Sequence, residues 1–201
     1  MSLKAKVGGD FELAPAGNHI GRCIRIIDIG TIETVFEGKS LWQPKIKLGF
    51  ELPLEKMEDS RPFSVWSELT LTMNKKGNLR PLLEGWRGKS FTDEEAEDFD
   101  ILKLLDKTCM INVVHKEGYA NINSIAQVPK GTKCPDPINE VYVFELSNFS
   151  LDTFEKLTEK TREKIMRSKE WEAMNNPSKK EKEVNDFPED AGPGEEDDIP
   201  F

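Results

Sequence analysis

Alternation of apolar and polar positions recurs in six places along the chain. Gly21–Ile29, Trp42–Leu52, Phe63–Met73, Thr108–His115, Tyr119–Gln127 and Val141–Leu146 each read as a β-strand. Successive side chains on an extended backbone point to opposite faces, so the pattern also sorts residues by side. In the third strand Phe63, Val65, Leu69, Leu71 and Met73 form the inward set, and Trp66 shares the other face with Ser64, Glu68, Thr70 and Thr72. In the second, Ile46, Leu48 and Phe50 point inward while Gln43, Lys45 and Lys47 point outward; Trp42 has inward parity but stands at the strand mouth. Tyr119, Asn121 and Asn123 lie opposite Ala120 and Ile122, and Lys116-Glu117-Gly118 joins strands four and five as a tight hairpin.

Helical signals fall in two places. Between strands three and four, Asn78 is placed to cap a short turn over Leu79–Leu83. Thr92 opens Asp93–Phe99 with a capping box, its partner Glu95 lying three residues on. After the sixth strand, Ser150 and Asp152 open a charged helical stretch to about Met174. Its apolar positions Phe154, Leu157, Ile165, Met166 and Trp171 are sparse, which predicts a surface helix packed along one edge. Five or so strands with a helix between the third and fourth is the order of an OB-fold, a five-stranded Greek-key barrel. The expectation is a mainly β protein: an irregular lead-in over 1–18, an OB-fold domain over 19–150, a charged C-terminal helix over 151–176 and an acidic tail over 177–201.

Charge changes this picture at the C-terminal end. The net charge is −9 over 201 residues. Seven acidic and no basic residues lie in 185–201, which leaves 28 basic against 30 acidic residues, a net of −2, in the first 184. With Pro188, Pro193, Pro200, Gly192 and Gly194 interspersed, this stretch buries too little apolar surface to offset its ordering entropy and is expected to be disordered. It ends Asp197-Asp198-Ile199-Pro200-Phe201: an acidic tether with an aromatic tip. Ile199 and Phe201 suit an apolar pocket on a partner, and Asp197 and Asp198 would steer the approach to it. The blander reading is a tail that only solubilises.

The outward surface of strands two, three and five collects Lys45, Lys47, Trp66, Tyr119, Asn121 and Asn123, with Trp42 nearby and Lys116 in the hairpin. Cations for phosphates and rings for bases are what single-strand binding requires, since any base can stack, at about 1–3 kcal/mol each. The alternative for Trp66 is cover by a loop or by the C-terminal helix. A second basic cluster comprises Arg61, Lys75, Lys76, Arg80, Arg87 and Lys89; against Glu68 and Glu84 it gives residues 61–90 a local net of +4. Trp86 with Arg87 either forms an exposed lip there or anchors the helical insert to the barrel.

The chain end resembles the C-terminal peptide of bacterial and phage single-stranded-DNA-binding proteins. The body is similar to phage-encoded OB-fold single-strand-binding proteins over roughly residues 20–130. Cys109-Met110-Ile111-Asn112-Val113-Val114-His115-Lys116 leading into Tyr119-Ala120-Asn121-Ile122, and Trp86-Arg87-Gly88-Lys89 with Phe91, carry that likeness. It implies a non-catalytic, sequence-independent binder of single-stranded DNA in replication, recombination or repair, whose tip recruits replication or repair proteins. The longer insert and the helix after the barrel depart from the bacterial type. A monomer or dimer is therefore expected rather than its tetramer.

Other chemistries find little footing. Gly38-Lys39-Ser40 and Gly88-Lys89-Ser90 suggest a P-loop, but the required earlier glycine is replaced by Glu33 and by Leu83. Only Asp28, Glu33 and Glu51 are placed as strand-end carboxylates for a metal-dependent nuclease, and two histidines offer no convincing base for a serine or cysteine nucleophile. Cys23, Cys109 and Cys134 are widely spaced, which suits a reduced protein and no zinc site. No apolar run approaches 18 residues. The expectation is therefore no enzyme, no cofactor, no metal and no membrane, in the cytoplasm (of the bacterial host if phage-encoded). An adaptor that binds protein alone, or an RNA binder, are the rival readings.

Overall fold

Six strands form one sheet in the computed structural model, which describes residues 12–36 and 38–176. They are β1 Gly17–Phe36, β2 Lys39–Lys56, β3 Pro62–Thr70, β4 Thr108–Lys116, β5 Tyr119–Ala126 and β6 Tyr142–Phe144. The path β3-β2-β1-β4-β5 is antiparallel throughout, and β6 joins β1 in parallel. The protein is mainly β, and each of the six expected strands is present.

β1 and β2 extend well past their expected ends. Their ladder continues out to Phe36↔Lys39 as a two-stranded arm. Val35 and Leu41 are exposed there, so neither face of the arm is consistently buried and the alternation that marks a strand fades. Closer to the body, β1 slips register between Cys23 and Arg25 and between Asp28 and Gly30. Such slips swap the faces of the residues that follow. Cys23 and Ile26 consequently enter one apolar cluster and Ile27 and Ile29 another.

The first cluster lies inside the curved sheet. It takes the expected Ile46, Leu48 and Phe50 of β2, Phe63, Val65 and Leu69 of β3, Ile111 and Val113 of β4, and Ile125 of β5. Leu71 is instead exposed and Met73 only half-buried, because β3 ends at Thr70. Helix α1 (Leu79–Arg87) covers one end with Leu79, Leu83 and Trp86. It approaches so closely that a Cβ on Gly85 would stand 2.4 Å from the carbonyl oxygen of Ile125. Asn78 precedes α1 without a side-chain cap bond, contrary to expectation. The Thr92–Glu95 capping box is formed in both directions at α2 (Asp93–Glu97), and a 3-10 turn follows at Ile101–Leu104.

Among the described residues no ladder joins β3 to β5, so the sheet is not a closed barrel. Ser67–Leu69 and Ile122–Ile125 instead flank a gap of 490 Å³ that α1 borders with Asn78, Pro81 and Leu82.

In place of the expected single C-terminal helix there are three short ones: α3 Leu151–Glu155, α4 Glu159–Ile165 and α5 Lys169–Asn175. Thr158 and Ser168 interrupt the run because each takes an extended, N-capping backbone. These helices are not a surface appendage. Phe154, Leu157 and Ile165 are buried with Ile27, Ile29, Phe144 and Leu146 in the second cluster, and Trp171 stacks on Phe154 at 5.0 Å. The two breaks re-aim the apolar positions, so a set too sparse for one straight helix still fills a core.

Candidate nucleic-acid interface

Strand register lines up four residues across the outer face of the sheet. Tyr142 of β6 is level with Arg25 of β1, Arg25 with Gly49 of β2, and Gly49 with Trp66 of β3. Gly49 leaves room for the Trp66 ring, which would stand 2.6 Å from a Cβ placed there. The Arg25 guanidinium then sits 5.6 Å from the centroid of Trp66 and 5.2 Å from that of Tyr142, within cation–π range of both. It makes no ion pair among the described residues, and its buried Nε has no hydrogen-bond partner.

Lys47 lies beside this row, its ammonium 4.9 Å from the Trp66 centroid and donating to Thr161 Oγ1 at 3.3 Å. Burial lowers its pKa; Glu68 works against that shift and Lys164 adds to it. One rung along, Lys45 donates to Thr70 Oγ1 at 2.6 Å and to Gln43 at 3.0 Å. Burial also raises the Tyr142 phenol, so the ring is neutral at physiological pH. Trp42, half-exposed on the arm, has the Lys169 ammonium 4.6 Å over its ring. Lys45, Lys47 and Trp66 are thus brought together as the alternation predicted. The face is partly roofed, however: Trp66 and Tyr142 pack against the second cluster, and α4 reaches Lys47.

Sequence reasoning missed Arg25, Tyr142 and the lysines of the C-terminal helices. Arg25 had a legible signal, a cation flanked directly by Ile24 and Ile26 in an isoleucine-rich strand. Tyr142 did not, because its place depends on β6 pairing in parallel with β1.

Among the described residues the second basic cluster is charge-paired at every member but Lys76. Asp93 pairs with Lys75 at 3.1 Å, and Glu95 takes Arg87 at 2.9 Å and Lys89 at 3.4 Å. The Arg87 guanidinium, the Thr92 N–H and Lys89 together hold the Glu95 carboxyl down at about 2. Arg80 is buried, bonded to Glu84, Asp93 and the Phe91 carbonyl. Trp86 is buried as well, 5.5 Å from Phe50, with its indole N–H donating to Thr108; it anchors the insert and offers no exposed lip. Arg61 pairs with Asp59 in the β2–β3 turn. Lys76 alone of the six is exposed without an ion pair among the described residues. The local excess of +4 is halved because Asp93 and Glu95 of α2 fold back onto it.

Tyr119 is 70% exposed at the head of β5, and Lys116 beside it has no ion pair among the described residues. Asn121 donates to the carbonyls of Lys116 and Tyr119 and so braces the hairpin. Asn123 lines the gap opposite Glu68. The tip residues Asp197, Asp198, Ile199, Pro200 and Phe201 lie outside the described residues.

Of the three carboxylates considered for metal chemistry, Glu51 and Asp28 hold backbone N–H groups and Glu33 holds a side chain across the arm. Glu51 is fully buried and accepts from the N–H groups of Ile138 and Asn139 and from the Asn139 amide. Asp28 accepts from Gly30 and Leu146, and Glu33 from Ser40. Among the described residues no three His, Cys, Asp or Glu side chains gather to hold a metal ion, and no helix is long and apolar enough to cross a membrane. Burial raises all three thiols, Cys23 to about 12.

In comparisons with known proteins, no family model, no curated protein and no solved structure matches this chain.

Proposed function

We propose that the protein binds single-stranded DNA, without catalysis and without sequence preference, on the outer face of β1, β2 and β3. The observation that carries this reading is the row Tyr142–Arg25–Gly49–Trp66 with Lys47 and Lys45 beside it. An unpaired guanidinium between two rings is a place where a base stacks and a phosphate finds its countercharge. The OB-type barrel belongs to the same proposal. Supporting it are the strand order, the helical insert between β3 and β4, and the approach of β5 toward β3 across the gap. In this reading the protein acts in DNA replication, recombination or repair, and the segment Asp197–Phe201 recruits partner proteins by seating Ile199 and Phe201 in an apolar pocket.

The partial roof over Trp66 and the charge-paired second cluster favour a rival: a protein-binding adaptor with no affinity for nucleic acid. Anisotropy titration of labelled oligo-dT separates the two, with duplex DNA and RNA as competitors. Single-strand binding predicts affinity that falls with salt, at a log–log slope near −0.7 per phosphate contacted. Trp66→Ala should then lose about 1–3 kcal/mol, the value of one stacked base. No binding at low salt would leave the adaptor.

A further inference from the structure

We propose that Glu68 occupies, in the free protein, the position of a nucleic-acid phosphate, and that Lys164 of α4 is a phosphate-binding residue on the second wall of the strand's path. This rests on the single-strand-binding reading above and assigns residues that the sequence pattern did not suggest.

Lys47 and Glu68 are register partners on β2 and β3, and α4 packs over them. The Lys164 ammonium is 2.7 Å from Glu68 Oε2, while Lys47 reaches Thr161 on the same helix and Lys45 rests on the neutral oxygens of Thr70 and Gln43. The one carboxylate on this stretch of the face is thus bonded to Lys164 alone, although its register partner is Lys47, whose ammonium stands 4.9 Å from the Trp66 centroid that Arg25 also approaches to 5.6 Å. A carboxylate held by an ammonium presents the same charge and the same pair of acceptor oxygens as a phosphodiester.

The crowding has an energetic sign. Lys47 is already disfavoured as a cation by burial, and Lys164 adds to that shift while Glu68 relieves it. A phosphate entering between Lys47 and Lys164 would supply that relief and release Glu68. The released carboxylate has somewhere to go, because Glu68 lies on the rim of the gap between β3 and β5, facing Asn78, Asn123 and Ser124.

Two substitutions break the same ion pair but oppose each other in this scheme. Glu68→Gln should tighten oligo-dT binding at low salt by about fivefold, the scale of one exposed ion pair, and leave the salt slope unchanged. Lys164→Gln should weaken binding by a similar factor and flatten the log–log slope by about 0.7. If the bridge merely pins α4 in place, both variants shift affinity in the same direction, and the inference falls. It also falls if neither variant departs from wild type while Trp66→Ala still weakens binding; the single-strand reading then survives. Failure of the wild-type protein to bind oligo-dT overturns both. Thermal denaturation of each variant shows that it remains folded.

Discussion

The ring of Trp66 lies in the space that a side chain on Gly49 would fill, 2.6 Å from the missing Cβ. One strand thus gives up its side chain so that the aromatic of the next can lie flat on the sheet and come within reach of Arg25.

Gly49→Ala should displace the indole and destabilise the fold by about 1–3 kcal/mol, as overpacking does elsewhere. The cost arises from one contact, so it should largely vanish in a Trp66→Ala background. A double-mutant cycle in urea measures this directly. Equal costs in both backgrounds would mean that the glycine matters for its backbone and not for the ring.

The C-terminal helices are part of the folded core in this structure. Ile165 is fully buried between α4 and β1-side residues such as Ile27 and Ile29. Ile165→Ala should therefore cost about 2–5 kcal/mol, as for a core cavity, where a surface helix would show no more than about 0.5. Denaturant midpoints distinguish the two.

The insert should weaken first on acidification. Arg87 and the Thr92 N–H depress the Glu95 carboxyl from its ordinary 4.5 to about 2. A carboxyl whose folded-state pKa is depressed adds stability above its ordinary pKa, and that stability is lost as pH falls through the folded value. The wild-type advantage over Glu95→Gln in thermal midpoint should thus be full above pH 4.5 and shrink steadily toward pH 2, disappearing below it. Melting curves from pH 2 to 6 test it; a gap at pH 2 as large as at pH 6 would refute the electrostatic origin.

Much of the candidate site was legible because strand alternation is local. Lys45, Lys47 and Trp66 were assigned to one face from parity alone, and they lie together. The reading of the insert went astray for a reason equally physical. The net charge of residues 61–90 omits Asp93 and Glu95, which chain reversal at the capping box returns to Lys75, Arg87 and Lys89. Trp86 likewise shows no helical stripe long enough to betray that it faces Phe50.

By itself the sequence determined the six strands, the hairpin at Lys116–Gly118, the capping box and the inward set of β2. Each depends on dihedral preference or on neighbours two to four residues away. Tertiary structure alone decided that Arg25 would stand between Tyr142 and Trp66, that α4 would bring Lys164 to Glu68, and that β1 would serve two cores. Those depend on register, on two slips in β1 and on a parallel pairing between strands more than 100 residues apart. Contacts of that range are chosen by the free energy of the whole packed sheet, to which no local pattern has access.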